Sequence, residues 1–191
     1  VLAEAQKHFG SMPNVMAAKD NKLTAAKIDL GRQLYYDTRL SKSQTISCNS
    51  CHDLEAWGVD GKPTSPGHDG ALGDRNSPTV YHAAAHLAQF WDGREPTVEA
   101  RALGSILNPV EMAMESESAV EDMLHTIPGY VEAFEKVFPE TGITYANIGL
   151  AIGAFERRLV TPSRFDAFID GDTNQLSGDE LAGLDLFIEK G

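Results

Sequence analysis

Thr45-Ile46-Ser47-Cys48-Asn49-Ser50-Cys51-His52 contains both cysteines of the 191-residue chain, set in a C-x-x-C-H pattern. That pattern is the c-type haem attachment signature. Two thiols separated by two residues at the start of a helix can reach both vinyl groups of one porphyrin and form thioethers. The adjacent imidazole then stands under the ring, where it can coordinate the iron. The competing readings lack a partner. A closed zinc site needs four ligands, and there is no second cysteine pair. A thioredoxin-like C-x-x-C belongs near a βαβ pattern, and alternating strands are absent from this sequence. Cys48 and Cys51 are therefore read as covalent anchors and His52 as an axial ligand of one haem c.

Around this motif the periodicity is helical. Thr24 caps a helix carrying Ala26, Ile28, Leu30, Leu34 and Tyr35 that ends near Asp37. Further helices are expected over 81–90, 118–126, 130–138, 145–159 and 177–190, the last opened by the capping box Ser177-Gly178-Asp179-Glu180. Two stretches carry no periodicity. One is 57–78, with five glycines and three prolines, and the other is 108–117. The fold expected is mainly α, a cytochrome c-like helical domain with long loops around a covalently bound haem. A loop of about 20 residues inside such a domain is more often functional than idle.

Composition narrows the function. The formal net charge of −12 argues against a sequence-independent nucleic-acid binder, which needs a cationic face. No apolar run reaches the ~20 residues of a membrane span. The first residues, VLAEAQKHFGSM, carry no secretory-signal pattern. A cytosolic chain or a processed one fits this, and the haem motif, attached on the periplasmic side in bacteria, favours the latter.

For the other face of the iron the residue types leave a choice. His68 lies in the Gly/Pro-rich loop PTSPGHDG (63–70), where flexible backbone could bring it over the haem and take it away. Met112 competes, because a His/Met pair raises the potential of an electron-transfer cytochrome. His82 and His86, four apart on the helix expected at 81–90, are read as structural. His8 and His125 are read as surface residues. Residue type alone makes Glu111 a helix-start charge and Trp91 an aromatic core residue.

The strings LGRQLYYDTRLSKSQTISCNSCH (30–52), PTSPGH (63–68), RNSPTVYHAAAHLAQFWDGR (75–94), NPVEM (108–112) and LVTPSRFDAFIDGD (159–172) stand in unbroken order. Together they resemble the bacterial di-haem cytochrome c peroxidases, a family that includes the MauG-type oxidases. The resemblance implies a periplasmic enzyme that reduces hydrogen peroxide to water with electrons from a small cytochrome c or cupredoxin. Residues 1–22 would be an amino-terminal extension, 23–165 the peroxidatic haem domain, and 166–191 the start of the electron-transfer haem domain. His52 would be the proximal ligand and His68 the distal one. Trp91 would stand between the two haems, Glu111 would be the distal-pocket acid, and Asn76 would bind a calcium ion. Members of the family are often homodimers.

One departure stands out against that resemblance. Arg101 occupies the position where family members commonly carry glutamine, and Ser105 the position of a proline. A guanidinium there would add a fixed positive charge and change the hydrogen bonding of bound peroxide. Two other activities share the resemblance: a MauG-like oxidase acting on a protein side chain, and a non-catalytic electron carrier with two permanent axial ligands. Because the last helix resembles the one leading to a second C-x-x-C-H, the sequence also carries the expectation of a second haem beyond Gly191.

Overall fold

Tyr145–Glu156 (called α7 below) is the helix about which the larger part of the molecule is built. Thr144 starts it by accepting a hydrogen bond from the Asn147 N–H at 3.1 Å. Ten of its twelve residues are buried, as a helix that is apolar on nearly every side must be. The computed structural model describes residues 1–191. Its helices in chain order are α1 (Leu2–His8), α2 (Ala25–Tyr36), α3 (Cys48–Cys51), α4 (Val98–Leu107), α5 (Glu117–His125), α6 (Pro128–Val137), α7, α8 (Arg164–Ile169) and α9 (Gly178–Lys190). There is no sheet, only the isolated bridges Pro66–Leu72 and Gln89–Glu95. No helix is long and apolar enough to cross a membrane.

The chain divides into two compact units. Residues 16–159 form one, and 1–15 with 160–191 form the other. In the first, α2 and α4 pack against α7. Gly31 lets α2 come so close that a Cβ there would lie 1.8 Å from the Ala151 carbonyl oxygen, a backbone atom that cannot step aside. Gly153 does the same toward the Glu99 side chain of α4. Helices α5 and α6, joined through Ile127 and a proline in the first turn of α6, add Val120, Leu124, Tyr130 and Phe134 to the core formed with Leu30, Leu34, Ile106, Ile148 and Ile152. Each such side chain contributes roughly 1.5–3 kcal/mol when fully buried. The second unit gathers Ala5, Phe168 and Ile169. Its capping box at Ser163 and Asp166 also takes the Met12 N–H, at 2.6 Å from Asp166 Oδ1.

The helices expected from Thr24, at 118–126, 130–138 and 145–159, and from Ser177 are all present, with ends shifted by up to three residues. The helix expected at 81–90 is not. Only a single 3-10 turn, Ala83–Ala85, forms there, flanked by His82 (φ 60) and Phe90 (φ 64) in left-handed backbone. The buried Gln89 amide donates to the Ala83 carbonyl at 2.8 Å, and from an extended His86 the chain passes through bends to the isolated Gln89–Glu95 bridge. A tertiary hydrogen bond thus overrides the helix preference of three alanines, and His82 and His86 do not share a helix face. Conversely, α4 formed where no helix was expected. Thr97 caps it, and Val98, Ala102 and Ile106 repeat every four residues along its buried side.

Candidate functional site

The attachment motif is one helical turn. The Ser50 hydroxyl accepts from the Ser47 N–H at 3.0 Å, and the His52 N–H closes the turn on the Cys48 carbonyl at 3.0 Å. Tyr35 of α2 donates its hydroxyl hydrogen to the His52 carbonyl at 2.6 Å, which ties the turn to the core. Cys48 and Cys51 are free thiols, and both line one small chamber. Burial pushes the Cys48 thiol up to about 12 and raises Cys51 as well.

The His52 ring nitrogen Nδ1 lies 2.9 Å from the Pro78 carbonyl oxygen. A carbonyl only accepts, so Nδ1 carries the hydrogen and Nε2 presents a bare lone pair. Burial, and then the charge of Arg101, hold the imidazole down at about 4, so it is neutral at pH 7. Two convergent thiols beside a neutral, oriented imidazole are the donor set that a haem c requires. The residues present therefore fit that group.

The chamber is lined by Ile46, Cys48, Cys51, His52, Arg101, Ala102, Ser105, Glu111, Met112 and Glu156. Glu111 is also part of an outer cleft of about 370 Å³ with Asp74, Arg75, Asp92, Arg94 and Asn108. Asn108 holds the Glu111 carboxylate through Nδ2 at 2.8 Å from Oε1, and its carbonyl accepts from the Glu111 and Ala113 N–H groups. Glu111 thus sits in a turn between α4 and α5, not at a helix start. Met112 is buried and lines the chamber.

His68 is close to this wall without being part of it. Its N–H donates to the Glu111 carbonyl at 2.8 Å, and Gly67 lies so tight against the Val110 carbonyl that a Cβ would come within 1.9 Å. The ring nitrogen Nδ1 is buried with no hydrogen-bond partner, while Nε2 faces Asp69 at 3.3 Å.

Trp91, read from residue type as a core aromatic, is 61% exposed. Its indole N–H donates to the Asn76 carbonyl at 3.0 Å, and it lines a cavity of about 440 Å³ with Pro78, His86, Phe90 and Arg101. No group of three or more His, Cys, Asp or Glu side chains converges to hold a metal ion. The residue the sequence reading missed is Glu156, which pairs with Arg101 in the chamber wall. Its signal was available: it is the only acidic residue of the apolar α7.

A helical domain with a haem c attachment turn packed on α2 and α7 defines a class, the c-type haem proteins. The chain belongs, more narrowly, to the di-haem cytochrome c peroxidase family, whose model matches residues 25–174. It is 41% identical over 192 residues to a cytochrome c551 peroxidase of Pseudomonas aeruginosa, covering 98% of this chain and 55% of that protein. A cytochrome c551 peroxidase of Nitrosomonas europaea is 48% identical over 164 residues, 85% of this chain and 49% of that one. The methylamine utilization protein MauG of Methylorubrum extorquens is 34% identical, over 99% of this chain and 54% of its own length. Among solved structures, a MauG-like protein associated with microbial copper homeostasis superposes with a TM-score of 0.81 at 32% identity, over 93% of this chain and 53% of that one. The chain spans about half the length of these relatives.

Proposed function

We propose that this chain supplies the peroxide-reacting haem site of a periplasmic cytochrome c peroxidase. One observation carries the reading: Glu111 faces both the polar outer cleft and the chamber that holds Cys48, Cys51 and His52. Bound there, haem iron would supply the redox chemistry by which hydrogen peroxide, two protons and two electrons become two waters. Cys48 and Cys51 would hold the group, and His52, its ring fixed by the Pro78 carbonyl, would bind it through Nε2. Glu111, steadied by Asn108 and not engaged by Arg101 as Glu156 is, would take a proton from one peroxide oxygen and return it to the other. His68, whose backbone N–H bonds the Glu111 carbonyl and whose Nδ1 is buried and unpartnered, would be the residue that approaches the haem or withdraws from it.

Electrons would arrive one at a time from a small cytochrome c or cupredoxin, through a second haem in the part of the relatives that this chain does not span. In this reading Trp91 is on that electron path and Asn76 contributes to a calcium site, in a protein that pairs as a homodimer. The likeness to MauG-like proteins supports a second reading, oxidation of a protein side chain at the same site.

Three measurements decide. The denatured holoprotein should retain the mass of one haem on this segment, and Cys48→Ser with Cys51→Ser should abolish it. Glu111→Gln should lower peroxide turnover by about 10²–10⁴-fold with haem content unchanged, and near-normal turnover would remove Glu111 from the mechanism. His68→Gly should change the resting spectrum, and an unchanged one would transfer the distal role to Met112.

A further inference from the structure

Arg101 and Glu156 form an ion pair inside the wall of the haem chamber. Their side chains are only 7% and 4% exposed. Both hydrogen bonds leave from one nitrogen of Arg101, Nη2, to Oε1 at 2.9 Å and to Oε2 at 2.8 Å. A guanidinium has five N–H donors in a rigid plane, so the pair spends two and leaves the Nε and Nη1 edge outside it. Arg101 lines the chamber of Cys48, Cys51 and His52, and it also lines the cavity of Trp91. The rest of the chamber wall is largely apolar, with Ile46, Ala102 and Met112, and Glu111 is its other carboxylate. A fixed cation in such surroundings attracts an anion far more strongly than one in water.

We propose that Arg101, held in place by Glu156, makes this cavity an anion-binding site, with the donors outside the ion pair holding a small anion such as the hydroperoxide form of the oxidant. The anion is singled out over a neutral ligand by the guanidinium charge that accompanies those donors. Glu156 has a positioning role. It keeps the guanidinium in the wall, and Arg101 in turn opposes the upward push that burial gives the Glu156 carboxyl. The proposal rests on the reading of His52 as a haem ligand and adds a residue that binds what approaches the metal.

The test uses the ferric holoprotein and two probes read by the Soret band, azide as the anion and imidazole as the neutral ligand. Arg101→Gln should raise the azide dissociation constant about tenfold or more and change that for imidazole less than about twofold. Arg101→Lys, which keeps the charge but not the fork, should fall between. Losing one partner of a buried pair destabilises a fold, so the Arg101→Gln/Glu156→Gln double variant removes both charges at once and should show the same azide loss. Unchanged azide affinity in the double variant overturns the proposal, as does equal weakening for azide and imidazole, or a parent protein that binds no azide. Peroxide turnover in the same samples tests the catalytic reading separately. Absent turnover with the azide–imidazole contrast intact would overturn the peroxidase and uphold the anion site.

Discussion

Two arginine–glutamate pairs running in opposite senses join α4 to the carboxy-terminal end of α7, Arg101 with Glu156 and Glu99 with Arg157, which caps that end, and the two differ in almost everything except residue type. Glu99 of α4 receives a true fork from Arg157, Nε to Oε1 at 2.7 Å and Nη2 to Oε2 at 3.0 Å, and a third bond from Asn21 at 2.9 Å. Arg157 also reaches the Ala17 carbonyl at 3.2 Å, so this pair ties the chain before α2 to the helix interface. Glu156 receives both of its bonds from one nitrogen of Arg101, and the pair opens on cavities. The electrostatics follow the geometry. Burial acts upward on both carboxyls, yet the bonds from Arg157 and Asn21 leave Glu99 below the usual carboxylate range, while Glu156 stays above it. A fully bonded pair is a fastener, and a half-used guanidinium on a cavity wall is available for binding.

Breaking the cavity pair from one side should have the largest effect. Arg101→Met is expected to cost about 3–5 kcal/mol in denaturant unfolding at pH 7, because it leaves a buried carboxylate without its cation. The cost should shrink at pH 5. A carboxyl whose folded pKa lies above its unfolded one contributes stability below the unfolded value and loses it as pH rises through the folded one. An equal cost at both pH values would mean that Glu156 is not what the variant leaves exposed to desolvation.

Glu99→Gln should cost less, about 1.5–3 kcal/mol for a charge-assisted bond, and its pH signature is reversed. Glu99 is depressed in the fold, so its contribution is present above the ordinary carboxylate value of 4.5 and fades as pH falls through the folded pKa. Acid unfolding curves of parent and variant should converge on the acid side, and parallel curves would deny Glu99 this role. Asn21→Ala removes one bond to Glu99, one to the Leu150 carbonyl and one from Lys27. It should cost roughly 1–2 kcal/mol and leave the haem spectrum unchanged, since Asn21 is not among the residues lining the chamber. The smallest stability effect is expected from the paired replacement Arg101→Met/Glu156→Leu, within about 1 kcal/mol of the parent or above it. Its azide affinity should nevertheless fall as in the Arg101→Gln protein. A large stability loss there would make the cavity pair a fastener like its neighbour.

Much of this was legible in the chain. The spacing of Cys48, Cys51 and His52 named the cofactor, because thioether geometry and axial ligation leave little freedom in that motif. Helices with a side-chain cap and a clear apolar face, such as those begun by Thr24 and Ser177, were read where they form, since their signals are local. The segment 81–90 misled because its alanines favour a helix while the Gln89 amide, six residues from the Ala83 carbonyl it binds, decides otherwise. Trp91 could not be placed by residue type, because its exposure depends on how the loop carrying Asn76 lies beside it.

The sequence by itself determined the attachment turn, the helical class and the presence of a cation, Arg101, in the stretch that forms the fourth helix. Which acid faces that cation was decided only by tertiary structure. Arg101 and Glu156 are 55 residues apart in the chain, and they meet because the close α4–α7 approach brings two helix faces into register. Helical periodicity tells which side of each helix is buried. It does not tell which residue of the partner helix will lie opposite, and a buried charge is tolerated only when that opposite residue can pair with it.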